Sequence, residues 1–462
     1  MLKNFFKVAF RNMARNKAHS FINITGLSVG MAVAMLIGFW VYDELSFNTF
    51  FDSHDRIAVV VRNFNYNSQR ISLPGYCPYQ LREELLNKYA ADFRSVVLST
   101  GTGDHLIANS NTNFQKKGSF MDAGAADMLS LRMLKGSRAG LQQPSGLLLS
   151  ASVAATIFGN ADPLGRTLQI DGQSNAVVTG VYEDIPYNTD FKDLGFIASL
   201  QLFITANPII KTSKSPWMDA SFFTAYVQVT DRADMSSVSL KIKNILLGEL
   251  PDGEYKIEQP YMFLQPMDKW HLYADFENYT GYKVREKIEY VRLMGVIGIF
   301  VLLLACINFI NLSTARSEKR AKEVGVRKTI GSLRTQLIGQ FLFESLLAVG
   351  FAFLLSLLWV VLALPSFNRI ADKHIAIPWG VPFFWIACVL FGLLTGLISG
   401  LYPALYLSSF EPVKVLKGTF RLGPLAAIPR KILVVFQFTV SVGLIICTTV
   451  IYRQIQFAFD RP

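Results

Sequence analysis

The stretch Cys306–Ser345 reads CINFINLSTARSEKRAKEVGVRKTIGSLRTQLIGQFLFES, and it changes character twice. It begins inside an apolar run, passes through a segment rich in Lys and Arg, and then enters a second apolar run. A helix needs about 20 apolar residues to cross the hydrocarbon core of a bilayer. A basic connection between two such runs is typical of a loop on the cytoplasmic side of a membrane protein.

Five segments of the chain are long and apolar enough to span a bilayer as helices. Numbered as spans one to five, they are Phe21–Tyr42, Val291–Leu312, Phe343–Leu364, Phe383–Leu407 and Ile432–Tyr452. The apolar part of span one exceeds the roughly 7–15 residues of a secretory signal, and no small-x-small cleavage site follows it. We therefore predict an α-helical transmembrane bundle whose first helix is an uncleaved anchor.

Lys and Arg residues indicate the direction of the spans. They concentrate in residues 1–20, 313–342 and 408–431, which alternating passage through the membrane places on one face. This face is predicted to be cytoplasmic. The large segment 43–290, the outer loop 365–382 and the tail 453–462 are then extracytoplasmic.

The formal net charge of +11 is unevenly distributed. Asp43–Glu289 contains 23 basic and 28 acidic residues, which leaves 22 basic and 6 acidic residues for the rest of the chain. Because the positive charge flanks apolar runs, it does not form the basic stripe of a nucleic-acid-binding protein, and we expect no nucleic acid partner. Cys77 is the one cysteine between spans one and two, so no disulfide can form within that segment.

The 43–290 segment has the patterns of an α+β domain. Its first part predicts a strand at Ile57–Val61, a helix over Tyr76–Tyr89 and a strand at Ser95–Ser99. Its last part predicts the same order, with alternating residues in Phe223–Val229, a helix over Met235–Leu247 and a strand near Ile257–Leu264. These suggest a split βαβ unit built from both ends of the segment, with a second lobe inserted at about 105–220 that contains a strand at Val177–Tyr182.

The chemistry of a catalytic or metal site is not evident in this domain. His54, His105 and His271 are isolated in sequence, and Ser150 and Ser152 lack a GxSxG setting. The acidic residues are scattered among turn residues and are interpreted as solvated: Asp162, Asp171, Glu183, Asp184 and Asp193. No Cys/His cluster has metal-ligand spacing, and no GxxxxGK[ST] motif occurs, so ATP would have to be bound by another chain.

Glycines recur at every fourth position in two spans. Gly26 and Gly30 lie in span one, and Gly392, Gly396 and Gly400 lie in span four. Such spacing lets helix backbones approach closely in a membrane. Packing within one bundle is the favoured interpretation, and dimerisation through these faces is the alternative.

The segment Ser317–Phe341 is charged and helix-prone, with an interruption at Gly331–Ser332. Gly readily ends a helix and Ser is a good N-cap, so we predict a short helix, a break, and a second helix that leads into span three. The basic face of the first helix (Arg320, Arg327, Lys328) could pair with anionic lipid headgroups or contact a cytoplasmic partner. Glu344, the one acidic residue within the spans, is expected at the membrane interface. Pro403 and Pro412 favour a bend and then a stop of the helix that contains span four.

These segments resemble the MacB/FtsX-type permeases, the membrane subunits of ABC systems also called type VII or mechanotransmission complexes. The strongest likeness is Cys306–Ser345, similar to the family's coupling helix with its flanking spans, and LYPALYLSSFEPVKVLKG is similar to the segment after span four. In the 43–290 segment, FMDAGAADMLSLRMLKG, LLLSASVAATIFGNADPLGRTLQI and VVTGVYEDIPYNTDF resemble the MacB-like periplasmic core.

The resemblance implies a four-span unit in the cell inner membrane, with a porter-like periplasmic domain between spans one and two. It further implies two such units, as a homodimer or as a covalent repeat, bound to a pair of cytoplasmic ATPase subunits, while this chain holds no cofactor and is not itself an enzyme. The residues implied to couple to the ATPase are Arg320, Glu323, Val324, Gly325, Arg327 and Lys328. The family interpretation favours this partner contact over lipid pairing for the basic face.

Span five departs from the single-unit members, which finish after span four. It resembles the start of a second copy of the unit, so the chain is expected to be a truncated form of a double-length permease. Export of antimicrobial compounds or peptides, with a periplasmic adaptor as a further partner, is the first functional hypothesis. Regulation of a cell-wall hydrolase or handling of lipoproteins is the second, and a membrane-anchored enzyme would require a catalytic cluster.

Overall fold

The computed structural model describes residues 2–15, 17–66, 69–109, 112–212, 217, 221–249, 259–273, 287–315, 317–409 and 424–460. The chain forms two compact units. The membrane unit comprises Met1–Tyr42 and Val291–Pro462, and the inserted domain comprises Asp43–Tyr290.

The helices of the described residues are numbered in chain order. They are α1 Leu2–Arg15, α2 Lys17–Leu45, α3 Leu81–Lys88, α4 Ala125–Met128, α5 Ala151–Phe158, α6 Leu200–Ala206, α7 Ile209–Thr212, α8 Met235–Ile242, α9 Ile245–Glu249, α10 Met267–Trp270, α11 Ile288–Ala315, α12 Ser317–Thr329, α13 Arg334–Ala371, α14 Pro382–Ser408 and α15 Pro424–Phe459. A short 3₁₀ helix covers Arg138–Gln142.

The strands that the structure describes all lie in the inserted domain. They are β1 Ile57–Tyr66, β2 Gln69–Pro74, β3 Cys77–Pro78, β4 Phe93–Ser99, β5 Gly103–Asn109, β6 Thr112–Met121, β7 Met133–Gly136, β8 Gly146–Ser150, β9 Thr167–Ile170, β10 Ser174–Tyr182, β11 Phe196–Ser199, β12 Ser221–Val229 and β13 Tyr261–Pro266.

Five helices among the described residues are long and apolar enough to cross a membrane, which confirms the predicted spans. They are α2, α11, α13, α14 and the part of α15 from Lys431 to Gln454, with a mean hydropathy between 2.0 and 2.7. α2, α11 and α13 share a buried cluster that includes Leu27, Phe309 and Val349. α14 continues through Pro403 to Ser408, so this proline does not end the helix. Pro412 lies outside the described residues.

One part of the sheet has the strand order β4-β12-β1-β13, and every neighbouring pair is antiparallel. Along the chain, α3 lies between β1 and β4, and α8 lies between β12 and β13. This is the order of a split βαβ unit assembled from both ends of the domain. The predicted alternation is confirmed, because Phe223, Ala225, Val227 and Val229 are all buried in the core.

The other part of the sheet is a ring. β6, β5, β9, β10, β8 and β11 pair in succession, and a parallel pairing between β11 and β6 closes the circle. The ring meets the split βαβ unit where Ser99 of β4 pairs with Met121 of β6.

Two predicted helices of the inserted domain differ in the structure. The one predicted from Tyr76 begins at Leu81, because Cys77 and Pro78 instead pair with β12 as a strand. Burial raises the pKa of the Cys77 thiol to about 12, so this cysteine is held as a neutral core group. The helix predicted over Met235–Leu247 is interrupted after Ile242 and resumes at Ile245.

Candidate coupling site

α12 packs one face against the two helices that follow it. Ala321 and Val324 lie three residues apart, on the same face of a helix. They join Leu337 and Phe341 of α13 and the end of α14 in one buried cluster, and Val324 is only 1% exposed. α12 is therefore packed into the membrane unit.

Arg327 fastens α12 to α13. Its Nη2 donates to Glu323 Oε1 at 2.6 Å, one helical turn back, and its Nη1 donates to Gln340 Oε1. Gln340 is buried, so a charge-assisted hydrogen bond to it is shielded from water. Any displacement of α12 along its axis must either carry Gln340 with it or break this bond.

Gly331 ends α12 in a Schellman arrangement. The Ser332 N–H donates to the Arg327 carbonyl at 3.0 Å and the Gly331 N–H donates to the Lys328 carbonyl at 3.1 Å. The φ of Gly331 is +103°, a value that side chains disfavour. The prediction that Ser332 caps the next helix is wrong, because its N–H completes the end of α12 and the residue before α13 is Leu333, whose N–H donates to Gln336 Oε1.

The six residues implied to couple to an ATPase do not share one surface. Val324 and Gly325 lie on the buried face, whereas Glu323 is exposed and Lys328 is partly exposed. The side chain of Arg320 lies outside what the structure describes. Val324 and Gly325 can therefore position α12 but do not present side-chain surface to a second protein in this conformation.

An exposed apolar surface lies on α12 and the turn after it, and the sequence reasoning missed it. Val326, Ile330 and Leu333 are all exposed. The four-residue spacing of Val326 and Ile330 indicates that they share one face of a helix. This pattern was overlooked because most of the segment is charged. We call α12 with the turn after it, residues 317–333, the candidate coupling segment. Its open side thus combines these apolar residues with Glu323 and Lys328.

Four of the five glycines singled out in the sequence lie where helices of this chain approach each other. A Cβ built on Gly30 would lie 2.3 Å from Ala305 Cβ in α11, and one on Gly26 would lie 3.4 Å from Asn308. Gly396 and Gly400 of α14 face Leu346 and Ser345 of α13 in the same way. Gly392 differs, since no described atom of the chain lies within 4 Å of a Cβ built there.

Glu344 of α13 lies between α1, α2, α11 and α14 and is not on an open surface. It is 9% exposed and borders a cavity of about 60 Å³ together with His19, Asn23, Ser313 and other residues. Asn23 Nδ2 donates to Ser313 Oγ at 3.1 Å, so the helices carry polar groups at this level.

In the inserted domain, the chain just after α2 is fixed by Asn48, which is fully buried. Its Nδ2 donates to Asp190 Oδ2 at 2.7 Å and to the Met267 carbonyl at 3.3 Å, and its Oδ1 accepts from the Asp190 N–H at 2.9 Å. Its own N–H donates to the Asn188 carbonyl at 3.0 Å. Asn48 therefore ties the segment after α2 to the chain after β10 and to the end of β13.

A second contact strengthens this junction. Glu44 Oε2 and His271 Nε2 are 2.5 Å apart, and both side chains are largely buried. The Phe47 ring stacks on the His271 ring, with 3.8 Å between centroids and 9° between planes. We call the set Glu44, Phe47, Asn48, Asp190 and His271 the junction cluster.

Two of the histidines predicted to be isolated are paired with distant carboxylates. His271 contacts Glu44, and His105 Nδ1 lies 2.6 Å from Asp171 Oδ2. Neither carboxylate lies at helical spacing from its histidine, as the sequence indicates, because 227 and 66 residues separate the partners.

The serines and most of the acidic residues named above have structural roles. Ser150 caps α5 by accepting from the Val153 N–H, and the Ser152 hydroxyl donates to Asp184. Asp162 pairs with Lys135 and Asp193 with Lys117. Ser150 and Ser152 also hydrogen-bond to each other, and none of the partners described for them is a histidine.

Comparison with known proteins finds two family models that follow one another along the chain. Residues 20–245 match the family model of the MacB-like periplasmic core domain. Residues 295–412 match the family model described as FtsX-like permease C-terminal.

Relatives that match the chain include three permease proteins. YknZ of Bacillus subtilis is 24% identical over 286 residues, 62% of this chain and 62% of that protein. YvrN of the same organism is 21% identical over 285 residues, 59% of this chain and 61% of that protein. The macrolide export ATP-binding/permease protein MacB of Escherichia coli is 26% identical over 209 residues, 43% of this chain and 30% of that protein. The chain thus spans less than two thirds of the length of each.

Two solved structures are similar to part of the chain. A domain of a permease protein from Porphyromonas gingivalis gives a TM-score of 0.39 at 18% identity, covering 47% of this chain and 91% of that one. The periplasmic region of MacB from Actinobacillus actinomycetemcomitans gives 0.32 at 15% identity, covering 46% and 89%. The chain thus carries a MacB-like periplasmic core domain followed by an FtsX-like permease domain, and it is homologous to the MacB and YknZ ABC transporter permeases.

Proposed function

We propose that this chain is the transmembrane subunit of an ABC complex in which a separate ATPase pair docks on the coupling segment and moves the inserted domain. The observation that carries the proposal is the two-sided character of α12. One face is buried against α13 and α14, and the other presents Val326 and Ile330 beside Glu323. A helix built this way can accept a partner on one side and displace the bundle on the other.

The proposed transmission on the cytoplasmic side follows the described contacts. A push on Val326 and Ile330 is passed to α13 through Val324 and through the bond between Arg327 and Gln340. Gly331 separates the two helices, so the force reaches α13 through packed side chains and not through a continuous helix. ATP is bound by the partner, and the chain itself supplies no catalytic group.

On the other side of the membrane, the junction cluster would receive the movement. Asn48 is bonded to the chain after β10 and to the end of β13, so displacement of its segment pulls on both parts of the sheet. The proposed orientation has residues 1–20 in the cytoplasm and the inserted domain in the periplasm. A second permease unit, as a homodimer or a covalent repeat, and a periplasmic adaptor complete the proposed assembly.

The proposed work is export of an antimicrobial compound or peptide across the cell envelope. The relative named for macrolide export supports this choice. The alternative, regulation of a cell-wall hydrolase or lipoprotein handling, uses the same mechanics. Neighbouring genes for an adaptor and an outer-membrane channel would favour export, and a neighbouring hydrolase gene would favour the alternative.

The docking surface is tested by co-purifying the full chain with candidate ATPases and by measuring ATP turnover. The variant Val326→Asp/Ile330→Asp should lose association, since two carboxylates would be buried in the contact. The matched control is Ile370→Asp, at the other end of α13, where Ile370 is equally apolar and 87% exposed. Association of the double variant at the level of the wild type would refute the docking surface.

A second pair of variants separates docking from transmission. Replacing Glu323 and Arg327 together should abolish association while membrane insertion is retained. Gln340→Leu should leave the docking surface intact but remove the bond to Arg327, so ATPase binding should persist while stimulation of ATP turnover falls. If Gln340→Leu retains full stimulation, the Arg327–Gln340 contact is not part of the transmission.

A further inference from the structure

α1 carries a stripe of positive charge. Lys7, Arg11 and Arg15 follow one another at intervals of four residues, which places them along one side of the helix, and Lys3 precedes them by one interval in the sequence. The helix LKNFFKVAFRNMAR contains no acidic residue. Lys7, Arg11 and Arg15 are exposed.

A pair of aromatic rings lies beside this stripe. Phe6 and Phe10 are 50% and 54% exposed, and their rings stack with 6.4 Å between centroids. Ala9, on the adjoining side, is buried, and α1 packs on α13. Around the helix, a packed side is thus followed by an exposed aromatic edge and then by the cations.

The position of α1 in the chain brings it to the end of a membrane span. α1 ends at Arg15 and α2, the first helix long enough to cross a bilayer, begins at Lys17. Met13 of α1 and Ser20 of α2 are joined by a hydrogen bond of 3.3 Å from the hydroxyl to the carbonyl. A helix held there with an aromatic edge and a basic stripe has the composition of helices that lie in the membrane interface.

We infer that α1 is a membrane-surface helix that binds anionic phospholipid in the leaflet at the N-terminal end of α2. Phe6 and Phe10 enter the acyl boundary, and Lys7, Arg11 and Arg15 contact phosphate groups at headgroup level. The absence of acidic residues from α1 makes its charge complementary to an anionic surface along its whole length.

The contrast with α12 supports this choice of lipid site. On α12, Arg327 is already bonded to Glu323 and to Gln340 within the chain. A cation that is already paired within the chain contributes less to the binding of anionic lipid than a cation on a helix without acidic residues. From the sequence, lipid pairing was one of two uses considered for the basic face of α12, and the family resemblance favoured a partner contact there. The charge and aromatic edge of α1 make α1 the better lipid site.

The first test counts anionic lipid on the full chain by native mass spectrometry, after reconstitution with phosphatidylglycerol and phosphatidylcholine. The variant Lys7→Gln/Arg11→Gln/Arg15→Gln should bind phosphatidylglycerol about a hundredfold more weakly, since each of the three basic residues near an anionic surface strengthens association roughly fivefold. The matched control Arg94→Gln/Arg166→Gln/Arg232→Gln removes three exposed charges from the inserted domain and should bind as the wild type does. Equal retention by all three proteins would overturn the proposal.

The second test does not depend on removing charges from the helix. Phe10→Cys in a Cys447→Ser background places one accessible thiol on α1, because Cys77, Cys306 and Cys388 are buried. An environment-sensitive dye at this thiol should shift to the blue and resist iodide quenching in vesicles that contain phosphatidylglycerol. Quenching as in free solution would contradict the proposal.

Other occupants of the same face give distinct results. Protection in detergent that rises with protein concentration would show that a second copy covers α1. Protection that requires an added ATPase would assign the face to that partner. Either result would overturn the assignment to lipid while leaving the docking surface on α12 to its own test.

Discussion

In the inserted domain, β12 buries Phe223 completely, whereas in the membrane unit α2 meets α11 where a Cβ built on Gly30 would lie 2.3 Å from Ala305 Cβ. The first contact removes a large apolar surface from water, which is the main favourable term in a soluble fold. The second cannot gain in this way, because lipid is as apolar as the helix, and close backbone approach takes its place. One chain therefore uses two packing principles, each suited to its solvent.

The largest effect is expected for Phe223→Ala, which removes a fully buried ring from the inserted domain. The loss of apolar burial and the cavity left behind should lower the free energy of unfolding by about 3–5 kcal/mol. The control is the neighbouring Phe222→Ala, since Phe222 is 42% exposed and should change stability by less than about 1 kcal/mol. Hydrogen exchange of β12 in the full chain measures both, and equal effects would contradict the burial of Phe223 alone.

Asn48→Ala disrupts the junction cluster by removing side-chain hydrogen bonds. It removes three side-chain hydrogen bonds within the buried junction and should destabilise this region by about 2–3 kcal/mol. The φ of Asn48 is +64°, so Asn48→Gly keeps the backbone relaxed and isolates the side-chain loss. Asn48→Gly should be milder than Asn48→Ala by about 1 kcal/mol, as measured by exchange of the amides between residues 44 and 51.

Gly30→Ala tests the packing principle of the membrane unit. The added methyl group meets the Cβ of Ala305, which cannot rotate away, so α2 and α11 must separate at a cost of about 1–3 kcal/mol. Gly38→Ala in the same helix has no described atom within 4 Å and should be neutral or slightly stabilising. Thermal unfolding in detergent compares the two, and an equal response would show that α2 does not approach α11 through Gly30.

The smallest effect concerns the pH dependence of Asp122, which follows β6 and accepts from the Leu98 N–H of β4 at 2.8 Å. Burial raises the pKa of this carboxyl, although the Leu98 N–H and Arg82 oppose the shift. A raised pKa means that the folded state holds the proton to higher pH than the unfolded chain does. Stability therefore rises as the pH falls through the raised pKa and is lower above it.

The comparison with Asp122→Asn isolates this carboxyl, because the amide oxygen still accepts but does not titrate. Exchange of the Leu98 amide, corrected for its intrinsic pH dependence, should become slower in the wild type relative to Asp122→Asn as the pH is lowered from about 7 to about 4. A difference that stays constant over this range would show that Asp122 is not desolvated as the structure has it.

Features that depend on neighbouring residues were predictable from the sequence. The five apolar helices follow from uninterrupted apolar runs, the burial of alternate residues in β12 from a period of two, and the end of α12 from Gly331. The candidate coupling segment was likewise recognisable as a charged helix followed by a glycine break. Its two faces were not, because Val324 and Val326 are the same residue type two positions apart, and only packing against Leu337 and Phe341 decides which one is buried.

Local patterns along the chain suffice to predict the apolar helices and the strands of the split βαβ unit, since hydrophobic periodicity and turn residues act over a few positions. The pairing of Glu44 with His271, the bonds of Asn48 and the closure of β11 on β6 arise only in the folded chain. These contacts join residues separated by dozens to hundreds of positions, and their energy comes from burial and hydrogen bonding that exist only after the chain has folded. The exposed face of α12 belongs to the same class, because exposure is a property of the packed bundle and not of the segment.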